Sequence, residues 1–159
     1  MATAIVDSNP AVLLSIYTGN VTGGAKDGTF VSRERAMTAP ISVLLDSSNG
    51  ESKCIKCAIR CNSGYKTSGT TTIGFMYWDG TNYQINGGAM GRFKIALDNG
   101  YTEDNVDANA SWVDSIDITD EITDTNVVFW IKISSVLGEA PVRDNTISLT
   151  AKGVVVAVS

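Results

Sequence analysis

The feature that most constrains this chain is a strict two-residue alternation between Ser52 and Cys61. Ile55, Cys57, Ile59 and Cys61 fall on one face, and Cys54, Lys56, Ala58 and Arg60 on the other. An extended strand with one buried face keeps that period, because successive side chains point to opposite sides of the backbone. Shorter apolar runs recur on either side of it. They span Ala11 to Tyr17, Phe30 to Met37, Ile41 to Leu45, Thr70 to Trp78 and Tyr83 to Ile85. Further runs cover Arg92 to Leu97, Trp112 to Ile118, Asn126 to Ile133 and Thr146 to Val158, the last bent at Gly153. Turn residues separate them, as at Asp46-Ser47-Ser48-Asn49-Gly50, Asp79-Gly80-Thr81-Asn82 and Asp98-Asn99-Gly100. Ser134 to Pro141 reads as a connector. No helical periodicity is sustained anywhere.

Short strands at regular spacing predict an all-β fold: an antiparallel β-sandwich, immunoglobulin-like or jelly-roll, with minimal helix. The expected core is Leu13, Ile41, Val43, Ile59, Ile73, Phe93, Ile95, Phe129, Ile131, Leu149 and Val155. Trp130 reads as a core or interface residue. A chain of 159 residues suits one domain and can bury a core without disulfides or metals. The expected division is residues 1–10 as an N-terminal arm or first edge strand and residues 11–159 as the sandwich. Ile5, Val6 and Pro10 mark the arm as a candidate assembly contact. It either adds a strand to a neighbour or pairs within its own sheet.

Charge and composition narrow the function. The net charge is −5, from 17 acidic and 12 basic residues, with no basic run. Sequence-independent nucleic-acid binding needs a basic surface, so it is not expected. The chain has no histidine, which removes the commonest general base and zinc ligand and lowers the expectation of catalysis. No segment holds the roughly 18 apolar residues of a membrane span. The N-terminus lacks a signal peptide's basic start and apolar stretch. The chain is expected either to be made and used in the cytoplasm or to be released by a route other than standard secretion, such as lysis.

Several clusters carry chemistry elsewhere. Cys54, Cys57 and Cys61 include a Cys-x-x-Cys spacing, but positions three apart on a strand point to opposite faces, and no histidine completes a zinc site. Cys57 and Cys61 read as small core hydrophobes, and an exposed Cys54 could pair between subunits. Asp98, Glu103, Asp104 and Asp107 form an oxygen-rich loop whose spacing departs from the calcium-loop pattern. Asp114, Asp117, Asp120, Glu121 and Asp124 suit solvated faces better than a two-carboxylate hydrolase. Trp78 and Tyr83 are candidate sugar-stacking rings, provided they are exposed and coplanar. No catalytic residue, metal ligand or cofactor is expected.

Two segments carry a family resemblance. Residues Ser52 to Tyr65 and the stretch from Ile122 to Leu149, with its proline-containing connector and Asp144-Asn145 before the final strand, resemble small structural proteins of tailed bacteriophages. The likeness consists of strand-and-turn patterns. It implies a non-enzymatic virion protein, most often a capsid decoration, head-fibre or tail-associated one. It also implies homo-oligomers, trimers among them, and a capsid or tail partner. No catalytic residue carries over. The alternative is a carbohydrate-binding or adhesive module using Trp78 and Tyr83. A bacterial surface or filament subunit stands behind both.

Overall fold

Side chains branched at Cβ and aromatic rings at alternate positions favour pleated, half-buried strands. The computed structural model of the chain describes residues 2–10, 13–85, 87–88, 90–140 and 143–159. Its strands are β1 (Ala2–Pro10), β2 (Leu14–Thr18), β3 (Thr29–Phe30), β4 (Ile41–Leu45), β5 (Ser52–Cys61) and β6 (Tyr65–Trp78). They continue as β7 (Tyr83–Gln84), β8 (Phe93–Leu97), β9 (Ser115–Ile118), β10 (Val127–Ser134), β11 (Arg143–Asp144) and β12 (Ile147–Ala157). Helix is confined to a 3-10 turn at Met90–Arg92 and a single α turn, α1 (Val106–Asn109).

The strands form two sheets. The larger runs β11-β1-β12-β6-β7, with β4 paired to β1 and β9 paired to β6. The smaller runs β3-β2-β5-β10-β8. Their inner faces interdigitate as in a sandwich. Ile73, Phe75, Ile147 and Leu149 from the larger sheet meet Ile59, Ile95, Phe129 and Ile131 from the smaller. The all-β sandwich-like architecture expected from the alternation is the one observed. Most pairs are antiparallel, but β1 runs parallel to both β11 and β12.

β5 matches its predicted span, and Cys57, Ile59 and Cys61 point into the core. Three expectations are corrected. First, Ala2–Pro10 is not an edge or a free arm but follows the other expected course, pairing within its own sheet. It lies inside the larger sheet, with β4 pairing residues 2–6, β11 pairing Thr3 and Ala4, and β12 pairing residues 7–10. Ile5, Val6 and Pro10 are buried within the chain itself, Val6 completely, so they are not available as an assembly contact. Second, the strand expected from Ala11 begins at Leu14. Ala11 and Val12 lie outside the described residues. Leu13 turns the chain at φ 69° and is only half-buried, leaving Leu14 and Ile16 in the core. Third, Phe30 to Met37 holds only the end of β3. Glu34, Arg35 and Met37 adopt left-handed backbone, which ends the strand. Part of the 134–141 connector, Pro141, also lies outside the described residues.

A bend at Gly153 has a local cause. The register between β6 and β12 shifts there: Lys152 pairs with Thr72 and Val154 with Ser68, so residues 69–71 of β6 oppose Gly153 alone. A Cβ on residue 153 would sit 2.7 Å from Thr71 Oγ1. The fully buried Thr71 hydroxyl has no hydrogen-bond partner among the described residues. Thr71→Val keeps the shape and removes that unpaired oxygen, so it is expected to raise stability by about 1 kcal/mol. The urea midpoint checks this, and an unchanged or lower midpoint would show that the hydroxyl is satisfied.

Candidate docking surface

Most of the carboxylates singled out in the sequence are individually engaged. In the acidic loop, Asp98 accepts from Trp130 Nε1 at 2.9 Å and from the Tyr101 backbone N–H at 3.3 Å. Asp107 pairs with Lys132 at 2.5 Å. In the second cluster, Asp114 pairs with Lys94 at 2.5 Å and Glu121 with Lys66 at 3.0 Å. Asp124 pairs with Lys26 at 2.6 Å, and Asp117 accepts from Thr72 Oγ1 at 2.6 Å. Each of these has its own donor or cation, whereas Glu103, Asp104 and Asp120 take part in no ion pair among the described residues. Among the described residues, no group of three or more His, Cys, Asp or Glu is arranged to hold a metal ion.

The cysteines divide as their strand positions require. Cys57 is fully buried, and that burial drives its thiol far above the ordinary range. Cys61 is also buried and donates to Ile122 O at 3.4 Å. Cys54 points to the other face and is partly exposed, with its thiol raised by desolvation and then by the charge of Asp107.

Trp78 and Tyr83 come together, but not as a platform. Their ring centroids are 5.0 Å apart at an interplanar angle of 66°, an edge-to-face pair. Both are half-buried, and the Arg35 guanidinium lies over the Trp78 ring, 5.0 Å from its centroid. A sugar ring stacks on an open, flat face, so the coplanar arrangement required for sugar binding is not formed.

The surface that sequence reasoning missed lies beyond the bend in β12. Val154, Val156 and Val158 are 62%, 37% and 54% exposed, while Val155 between them packs against the core. The result is a row of three solvent-facing valines at alternate positions. β6 supports the row from one side, with Ser68 opposite Val154 and Lys66 opposite Val156. The Val158 N–H donates to Gly64 O at 2.9 Å. The run Val154-Val155-Val156 has no alternation of its own, so the sequence does not reveal which valine faces out. The turn at Gly153 decides it.

Comparison with family models, with curated proteins and with solved structures finds no match for this chain. The functional reading therefore stands on the surface itself and on the chemistry around it. Among the described residues, no helix is long and apolar enough to cross a membrane.

Two networks hold the loops that frame the outer face of the smaller sheet. Asn126 is buried at the junction of one. Its Nδ2 donates to Thr22 O at 3.1 Å and to Asp27 Oδ1 at 2.7 Å, and its Oδ1 accepts from Arg60 Nη1 at 2.6 Å. The Thr22 backbone N–H, at 2.8 Å, is the main group holding the Asp27 carboxyl below its usual range. The Arg60 guanidinium also covers the Tyr17 ring, 3.5 Å from its centroid. The second network pins residues 98–112 to β10 through Asp98–Trp130 and Asp107–Lys132, with Lys132 also 5.6 Å from the Trp112 ring centroid.

Proposed function

We propose that this chain is a non-enzymatic structural protein that works by docking, as a capsid decoration or other head-associated component of a tailed-bacteriophage particle. The valine row on β12 is its main contact, and its partners are the shell subunits and copies of itself. The row carries this reading. Three neighbouring apolar side chains on a rigid strand hold surface in water that a partner would cover, and burying each valine contributes favourably. The surrounding side chains support it, since Lys66 and Ser68 supply a polar rim of the kind that surrounds apolar interface centres. The resemblance of residues 52–65 and 122–149 to small virion proteins supplies the setting.

The test is association. Purified chain is examined by native mass measurement, then mixed with phage heads and tails lacking small decoration proteins and sedimented. A defined oligomer or cosedimentation is expected. Val154→Asp, which places a charge in the row opposite Ser68, should weaken that association at least about tenfold, the cost of desolvating an unpaired carboxylate. A strict monomer without affinity for any particle part overturns the reading, as does full binding by the Asp variant.

A further inference from the structure

A second surface lies on the opposite side of the molecule's sequence logic, where β5 outruns its neighbour. β2 pairs with residues 57–61 of β5 and stops at Thr18, opposite Cys57. β10 follows the other edge of β5 all the way to Ser52. Residues 52–56 therefore have one paired edge and, among the described residues, one open edge. β4 faces the same opening from the larger sheet, and among the described residues its one strand partner is β1. Between them lies a groove of about 550 Å³, lined by residues 42–44 and 52–55. Lys53 Nζ reaches across one end and donates to Leu44 O at 2.7 Å.

The rim of the groove is acidic. Glu103 and Asp104 line it, are exposed, and take part in no ion pair among the described residues. Asp107 beside them is already paired with Lys132. Within the groove, the partly buried Ile55 and the exposed Leu44 offer apolar surface.

We infer that this groove is a strand-addition site for an extended peptide segment that alternates apolar residues with Lys or Arg. The segment lies along residues 52–56 of β5, in line with β2. Open strand edges present unpaired N–H and C=O groups that template another strand. The slot is five residues long, the length of β2 itself. Period-two geometry sends alternate side chains of an added strand inward, toward Ile55, and outward, toward Glu103 and Asp104. Charge complementarity at the rim then selects a basic outer face, and the chain's net charge of −5 steers such a segment in. This inference does not rest on the virion reading, because it concerns a different face and is read on the isolated chain.

Cys54 provides the readout. It lines the groove and is the one partly exposed thiol of the three. The probe is an acetylated, amidated heptapeptide alternating valine and lysine, with its Kd measured by calorimetry. At ten times that Kd, modification of Cys54 by a thiol reagent is expected to slow about tenfold by mass action. Glu103→Lys with Asp104→Lys, both at exposed positions, should abolish the protection while the circular dichroism spectrum stays native. A valine–glutamate peptide should not protect. The valine–lysine peptide N-methylated at every residue should also fail, because neither of its edges can then donate to the backbone ladder. Absence of protection up to the peptide's solubility limit overturns the inference. Equal protection by the N-methylated peptide overturns it too, since that would be charge attraction without strand pairing.

Discussion

Replacing Trp130 by alanine is expected to cost about 3–5 kcal/mol of stability, the range for deleting a large buried ring. The reason is unusual for a sandwich. Trp130 sits on the outer face of β10, between the inward Phe129 and Ile131, yet is 1% exposed. Its cross-strand neighbour Ala96 is fully buried, and Asp98 accepts its indole N–H. The ring is thus the centre of a second, smaller apolar layer outside the main core. Residues 98–112 are fastened to the same face of β10. Trp130→Ala should therefore lower the urea midpoint and also expose residues 98–112 to proteolysis. Asp98→Ala, which leaves the indole N–H unpaired, should cost less, about 1–3 kcal/mol. If the alanine variant unfolds at the wild-type midpoint, the outer layer contributes nothing and the segment is held some other way.

Asn126→Ala is expected to cost roughly 2–4 kcal/mol, because it removes hydrogen bonds to the charged Arg60 and Asp27 in a buried setting. The direction of the pH response separates this network from simple packing. Asp27 has a lowered pKa in the folded chain, so its contribution is present above the unfolded carboxylate range and fades as pH falls through the folded value. Asn126→Asp sets a second carboxylate against Asp27. One of the pair then holds its proton more tightly when folded, so that variant should gain stability relative to the wild type as pH falls toward 4. Thermal midpoints measured across the acidic range check both statements. Parallel pH curves for the two proteins would remove Asn126 from its role at the junction.

The strongest strands were legible because their alternation is self-contained. Ile41–Leu45 and Ser52–Cys61 match their expected bounds, since every second side chain is apolar and turn residues close the ends. The errors fall where backbone conformation overrides residue type. Leu13, Glu34, Arg35 and Met37 take left-handed φ without being glycine, and nothing in those residue types announces it. The place of β1 was illegible for another reason: its partners β4, β11 and β12 are remote in sequence, so a short apolar stretch could not declare itself interior. At the candidate surfaces, Gly153 was visible as a bend, but its effect on which valine faces water depends on Thr71 across the sheet. The groove beside Cys54 was hidden altogether, because it arises from β2 being shorter than β5.

The parallel pairing of β1 with β12 has a consequence for biosynthesis. The ribosome makes β1 first among the strands and β12 last, yet the larger sheet is complete only when both are present. A nascent chain can begin to assemble the smaller sheet once β10 emerges, but β1 must wait beside β4 with its second half unclaimed. Contacts spanning nearly the whole polypeptide slow folding. Closure of the larger sheet therefore waits until β12 has been made, and chains cut short before Ile147 would keep β1 without its parallel partner.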